Sequence, residues 1–124
     1  AARARCLREP LRQVRRGDDE WYDVVRWYVN AVIQAEESGV TAANAEEVKR
    51  STTNPDTRRL LGVTPELGQS LKLDPDWVVR VVKAVGNYGE MYDRHMGPKT
   101  PVGLARGPNE LWTRGGLLYA LPMR

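Results

Sequence analysis

Between Arg15 and Trp27 the chain reads Arg-Arg-Gly-Asp-Asp-Glu-Trp-Tyr-Asp-Val-Val-Arg-Trp, and within these residues a basic extended arm gives way to an aromatic-rich amphipathic helix. Gly17 can take backbone angles that a residue with a side chain resists. Asp18 or Asp19 can accept hydrogen bonds from the free N–H groups of the first helical turn, and the Asp18-Asp19-Glu20 carboxylates complement the positive end of the helix dipole. The spacing therefore predicts a strand or linker before this joint and a helical body after it.

From Trp21 to Ser38 the apolar positions Trp21, Val24, Val25, Tyr28, Val32 and Ala35 repeat at helical spacing, and Tyr22, Val29 and Ile33 widen the stripe. Such a helix buries more than one side. Gly39 is placed to end it, and Asn44 with Glu47 has the spacing of a capping box opening a short helix to Arg50, with Thr41 as a competing cap. A capping residue followed by proline then recurs at Asn54-Pro55, Thr64-Pro65 and Asp74-Pro75. Proline suits the first helical position, where its missing N–H costs nothing, and the residue before it is driven out of the helical region. Apart from these pairs the segments do not match, so they read as punctuation and not as a repeat.

The pairs predict helices over Pro55–Leu61, closed by Gly62, and over Pro65–Leu71, followed by a long helix over Pro75–His95. In the last of these Trp77, Val81, Ala84, Val85, Tyr88, Met91 and Tyr92 form a broad face joined by Val78 and Val82. Gly86 and Gly89 weaken its second half by about 1 kcal/mol each relative to alanine, which points to close packing against another backbone or to a kink. Gly97-Pro98 stops it. The fold class is thus mainly α, in three stretches: a basic extended arm over 1–17, a helical body over 18–98, and a Gly- and Pro-rich extended tail over 99–124 laid on the helices.

Charge and composition exclude more than they specify. Hydrophobic residues make up 41% of 124, enough for a modest core in one domain, and with no Phe the aromatic bulk comes from four Trp and five Tyr whose polar tips need partners. The net charge of +3 is concentrated in Arg3, Arg5, Arg8, Arg12, Arg15 and Arg16. The arm reads as a solvated strand or tail; a basic-arm nucleic-acid binder is the third-ranked function, because no interleaved aromatics or recognition motif accompany it. One cysteine, Cys6, and one histidine, His95, rule out a zinc site built from either and leave no catalytic triad, and the glycines of the tail lack phosphate-loop spacing. Asp18, Asp19, Glu20, Asp23, Asp74 and Asp76 all have capping or dipole roles, so no catalytic, metal or cofactor residue is assigned. No apolar run approaches a membrane span, and the Ala-Arg-Ala-Arg start lacks the apolar middle of a signal peptide.

Several blocks in order carry a resemblance. They are Val14-Arg15-Arg16-Gly17-Asp18-Asp19-Glu20-Trp21-Tyr22-Asp23-Val24-Val25, Gln34-Ala35-Glu36-Glu37-Ser38-Gly39-Val40-Thr41-Ala42-Ala43-Asn44, and Asn54-Pro55-Asp56-Thr57-Arg58-Arg59-Leu60-Leu61-Gly62-Val63. Val85-Gly86-Asn87-Tyr88-Gly89-Glu90-Met91-Tyr92 and the tail from Leu104 to Ala120, containing Arg106-Gly107-Pro108-Asn109-Glu110-Leu111-Trp112, complete the series. From Glu9 onward the chain resembles the C-terminal third of the general L-amino-acid-binding proteins of bacterial ABC transporters, within the family 3 extracellular solute-binding proteins.

The resemblance implies a periplasmic receptor of two α/β lobes that closes on an L-amino acid and delivers it to an ABC permease. It makes Pro10, Leu11, Arg12, Gln13 and Val14 a hinge strand returning to the first lobe, and the helices after Gly17 the elements that complete that lobe, here without most of its sheet. The first eight residues depart from the family pattern, and Arg12-Gln13 replaces a more apolar approach to the hinge. The family's ligand contacts belong mainly to segments preceding this stretch, so no ligand-binding residue is carried over. The expectation is a receptor fragment unable to bind ligand alone, whose apolar helix faces lead it to self-associate; the alternative is a small helical interaction and oligomerisation module.

Overall fold

The computed structural model describes residues 15–64 and 66–122. Pro10, Leu11, Arg12, Gln13 and Val14, the residues expected to form the hinge, lie outside them, as does Pro65. In order the elements are α1 Asp19–Glu37, α2 Ala45–Ser51, α3 Pro55–Leu60, α4 Glu66–Ser70, α5 Trp77–Val85 and α6 Tyr88–His95, followed by 3₁₀ turns over Gly107–Asn109 and Trp112–Arg114. Among the described residues the β-structure is a single isolated bridge between Leu111 and Leu118. The chain is mostly helical, as its periodicity predicts.

Local chemistry sets the ends of α1 and α3. The Asp18 carboxylate accepts from the Trp21 N–H at 3.0 Å, and Asn54 Oδ1 accepts from the N–H groups of Asp56 and Thr57 at 2.9 and 3.4 Å. Both helices close in the same way. Gly39 and Gly62 take the left-handed conformation, with φ of 72° and 76°, and the residue after each donates back to the helix, Val40 to Ala35 O at 2.8 Å and Val63 to Arg58 O at 3.0 Å. This 6→1 bond satisfies a carbonyl that the helix end would otherwise leave free.

Four expectations are corrected. The predicted helix over Pro75–His95 starts at Trp77 and is two helices, broken where Gly86 adopts φ 85° and Asn87 caps α6. Its buried face is Trp77, Val78, Val79 and Val82, while Ala84 is exposed, so the apolar stripe is rotated from the one anticipated. The capping box expected at Asn44 and Glu47 is absent: Asn44 Oδ1 accepts from Thr41 N–H at 2.7 Å, and its amide donates to Gly39 O at 3.2 Å, which closes the preceding loop. Asp74 and Asp76 likewise grip Arg80, at 3.0 and 3.2 Å, in place of capping with their side chains.

α1 packs on α3, α5 and α6. Its Ala31 and Ala35 join Val40, Ala45, Leu60, Leu61, Trp77, Val78, Val79 and Val82 in the main core, with Trp27, Tyr28 and Val48 at the edge. Trp21, at 55% exposure, stands outside it. A smaller cluster of Ile33, Leu111 and Ala120, flanked by Val29, Tyr88 and Leu118, lies where the tail crosses α1. The tail is not simply extended, because its two 3₁₀ turns fold residues 110–118 back on themselves through the bonds Trp112 N–H to Leu118 O and Leu118 N–H to Glu110 O, at 2.9 and 3.1 Å.

Candidate functional site

The polar side chains that α1 offers to the tail form the most developed polar arrangement in the molecule. Asn30, Ile33 and Glu37 share one helix face at i, i+3 and i+7 spacing, with Glu36 turned toward α6. Glu37 Oε1 accepts the Ala120 N–H at 3.2 Å, and Asn30 Oδ1 accepts the Leu121 N–H at 2.9 Å. These side chains satisfy backbone donors that a tail outside any sheet would otherwise leave to water.

Arg106, just before the first 3₁₀ turn, supplies the third attachment. Its Nη1 meets Glu36 Oε1 and lies 3.2 Å from Glu110 Oε1, and its Nη2 donates to Glu36 Oε2 at 3.0 Å. Nε and Nη2 also donate to Asn109 O, at 3.3 and 2.9 Å. Four hydrogen bonds and one further ion-pair contact thus hold the guanidinium within the chain. The rings of Tyr88 and Tyr92 lie 5.6 and 5.9 Å from its central carbon, and the Tyr92 hydroxyl donates to Ala105 O at 2.9 Å. Gly89 makes room for the pair, since a Cβ there would sit 2.6 Å from Glu36 Oε1 and 2.9 Å from Arg106 Nη1. The close approach suggested by that glycine is to an ion pair, not to a backbone.

The electrostatics follow the burial. Burial works against the Arg106 charge, but hydrogen bonding and attraction from Glu36, with help from Glu110, leave it held more firmly protonated than a free arginine. Burial pushes the Tyr88 hydroxyl above its usual range, with Arg106 pulling the other way. Chemically the cluster is a clasp. The guanidinium is committed to a carboxylate pair and a backbone carbonyl of its own chain.

None of Glu36, Glu37, Asn30 and Arg106 stood out in the sequence, because each is an ordinary polar residue whose partner is distant in the chain. The capping box at Asn87 and Glu90 was legible, with polar residues at the right spacing. It was hidden inside a pattern that read as one continuous helix. Among the described residues no group of three or more His, Cys, Asp or Glu side chains gathers as metal ligands, and no helix is long and apolar enough to cross a membrane. Outside the clasp, Trp112 and Tyr119 pack edge to face at 5.9 Å and, with Leu117, are each more than half exposed.

No protein-family model matches the chain. It is 51% identical over 118 residues to the glutamate/glutamine/aspartate/asparagine-binding protein BztA of Rhodobacter capsulatus and 48% identical over 120 residues to the general L-amino acid-binding periplasmic protein AapJ of Rhizobium johnstonii. It is 44% identical over 118 residues to the putative amino-acid ABC transporter-binding protein YhdW of Escherichia coli. Each match takes in 94% of this chain and 35% of the relative, so the chain spans about a third of the length of the curated relatives it matches. A solved structure, an ABC transporter periplasmic binding protein from Brucella ovis with glutathione bound, is 51% identical, superposes with a TM-score of 0.84, and covers 90% of this chain and 35% of that one. The homologues are thus solute-binding proteins of ABC transporters and not enzymes.

Proposed function

We propose that this chain, a homologue of the amino-acid-binding periplasmic proteins of ABC transporters, forms the lobe-completing part of such a receptor and holds no amino-acid site of its own. The observation that carries the reading is identity of 44–51% over 94% of the chain to amino-acid-binding relatives of which it matches only 35%. On this reading the whole receptor works in the periplasm, binds an L-amino acid and passes it to an ABC permease. Pro10 to Val14 form the hinge strand of the arm over 1–17, the helices of 18–98 complete the first lobe, and the tail over 99–124 locks onto them. Support for the absence of a ligand site comes from Arg106, which is tied to Glu36, Glu110 and Asn109 O within the chain.

Calorimetric titration with glutamate, glutamine, aspartate, asparagine and glutathione tests this. The full-length receptor is expected to give saturable heat with at least one of them, and this chain alone to give none. Saturable heat from the chain alone would overturn the reading.

A second reading, self-association of the chain as a helical interaction module, draws support from Trp112, Leu117 and Tyr119, exposed together on the tail. Sedimentation velocity distinguishes the two. Concentration-dependent dimers lost on Trp112→Ser with Leu117→Ser favour association through this face, and a compact monomer throughout rejects it.

A further inference from the structure

We infer that Glu37 makes the docking of tail residues 119–121 onto α1 proton-linked, so that the clasp holds more tightly with the Glu37 carboxyl protonated than with it ionised. The geometry sets this apart from an ordinary surface carboxylate. Glu37 lies on the strip of α1 that the tail covers, and its polar neighbours there are neutral: the Ala120 N–H, which donates to it at 3.2 Å, and the Trp112 side chain.

The neighbouring charges leave it uncompensated. Glu36, next to it on α1, is itself negative and is engaged by Arg106. From the tail, Arg106 is divided between Glu36 and Glu110, and Arg114 reaches toward Glu110 at 3.8 Å. Among the described residues no cation lies within ion-pair distance of Glu37. The junction thus gathers three carboxylates, Glu36, Glu37 and Glu110, against Arg106 and the solvent-facing Arg114. An ionised Glu37 is therefore a charge drawn partly out of water with no counter-charge, a situation that favours the neutral form.

The titration agrees in direction. Burial pushes the Glu37 carboxyl above its ordinary 4.5, and the hydrogen bonds from Ala120 and Trp112 offset only part of this. A carboxyl whose value is raised in the docked state binds its proton more tightly there than when the tail is released. Docking therefore strengthens as pH falls through the raised value, and it stops strengthening below the ordinary one. Protonation does not cost the Ala120 bond, because the carbonyl oxygen of a neutral carboxyl still accepts.

Hydrogen exchange at the Ala120 and Leu121 amides, corrected for the intrinsic pH dependence of exchange, reads this directly. Protection in the native chain is expected to rise as pH is lowered from about 7.5 to about 5. Glu37→Gln, which keeps an acceptor and cannot titrate, should be at least as protected at the higher pH and flat across the range. Asn30→Ala should lower protection at every pH and retain the slope, because it removes the Leu121 contact and a bond to Arg26 O within α1 but leaves Glu37 in place. A native chain without a slope, or a slope that survives Glu37→Gln or vanishes in Asn30→Ala, would overturn the inference.

Discussion

Arg106 and Glu36, 70 residues apart in sequence, meet through two nearly parallel hydrogen bonds, with side chains only 12% and 7% exposed. Planar guanidinium and planar carboxylate match in this fork, which fixes both direction and position. The fork sets the register of the tail on α1, so that Leu111 and Ala120 reach Ile33.

Removing one partner should cost more than removing both. Glu36→Met leaves a mostly buried guanidinium half-paired and is expected to destabilise by about 3 kcal/mol. Glu36→Met with Arg106→Met should recover most of that loss, because no charge is then stranded. Arg106→Lys should rescue poorly, since an ammonium cannot form the fork and also hold Asn109 O. Urea unfolding of the four chains measures these differences.

Gly39 and Gly62 have nearly the same φ, 72° and 76°, in very different surroundings. A Cβ on Gly39 meets nothing within 4 Å, whereas one on Gly62 falls 1.8 Å from Pro75 O. Gly39→Ala should therefore cost only the left-handed backbone penalty of about 1 kcal/mol. Gly62→Ala must also push the α5 lead-in away from α3, and is expected to cost at least about twice as much or to prevent folding. Comparing the two thermal midpoints tests the distinction.

Asn87 does two separate jobs. Its Oδ1 accepts the Glu90 N–H at 3.0 Å while Glu90 returns a bond to the Asn87 N–H at 2.8 Å, and its amide donates to the buried Val40 O at 2.8 Å. Asn87→Ala should lose about 2 kcal/mol, from the cap and the stranded carbonyl together. Asn87→Asp keeps the cap acceptor but cannot donate to Val40, and it brings a second carboxylate to Glu90. Full stability in the Asp variant would contradict the role given to the Val40 bond.

Lys72 and Glu20 lie 2.5 Å apart with side chains 76% and 78% exposed. Their mutual attraction raises the Lys72 ammonium, chiefly through the hydrogen bond it donates to Glu20, but water and salt screen such a pair. Lys72→Met should leave the urea midpoint unchanged within error. A clear loss would mean that the first turn of α1 is anchored from the turn after α4 more firmly than two exposed side chains can manage.

The punctuation of the helices was readable because its causes are local. Asp18 and Asn54 cap, and Gly39 and Gly62 terminate, through contacts within one turn of chain. The same logic failed at Asn44, where an equally local alternative, the loop bonds to Thr41 and Gly39, took the side chain. It failed again at Gly86, where the helix pattern is continuous and a glycine alone is tolerated at a cost of about 1 kcal/mol. There the bond from Asn87 to Val40, 47 residues earlier, adds to the Glu90 capping box in favour of the break.

The sequence by itself determined that this chain is helical, where most of its helices begin and end, and through its ordered blocks which receptors it resembles. Those properties depend on backbone preferences, capping and side-chain periodicity, all set within a few residues. Only the tertiary structure decided that the long apolar stripe divides at Gly86, that Arg106 is claimed by Glu36, and that Asn30 and Glu37 hold the tail. Each depends on groups brought together across 47 to 91 residues, and a hydrogen bond or ion pair of that span leaves no local trace in the order of amino acids.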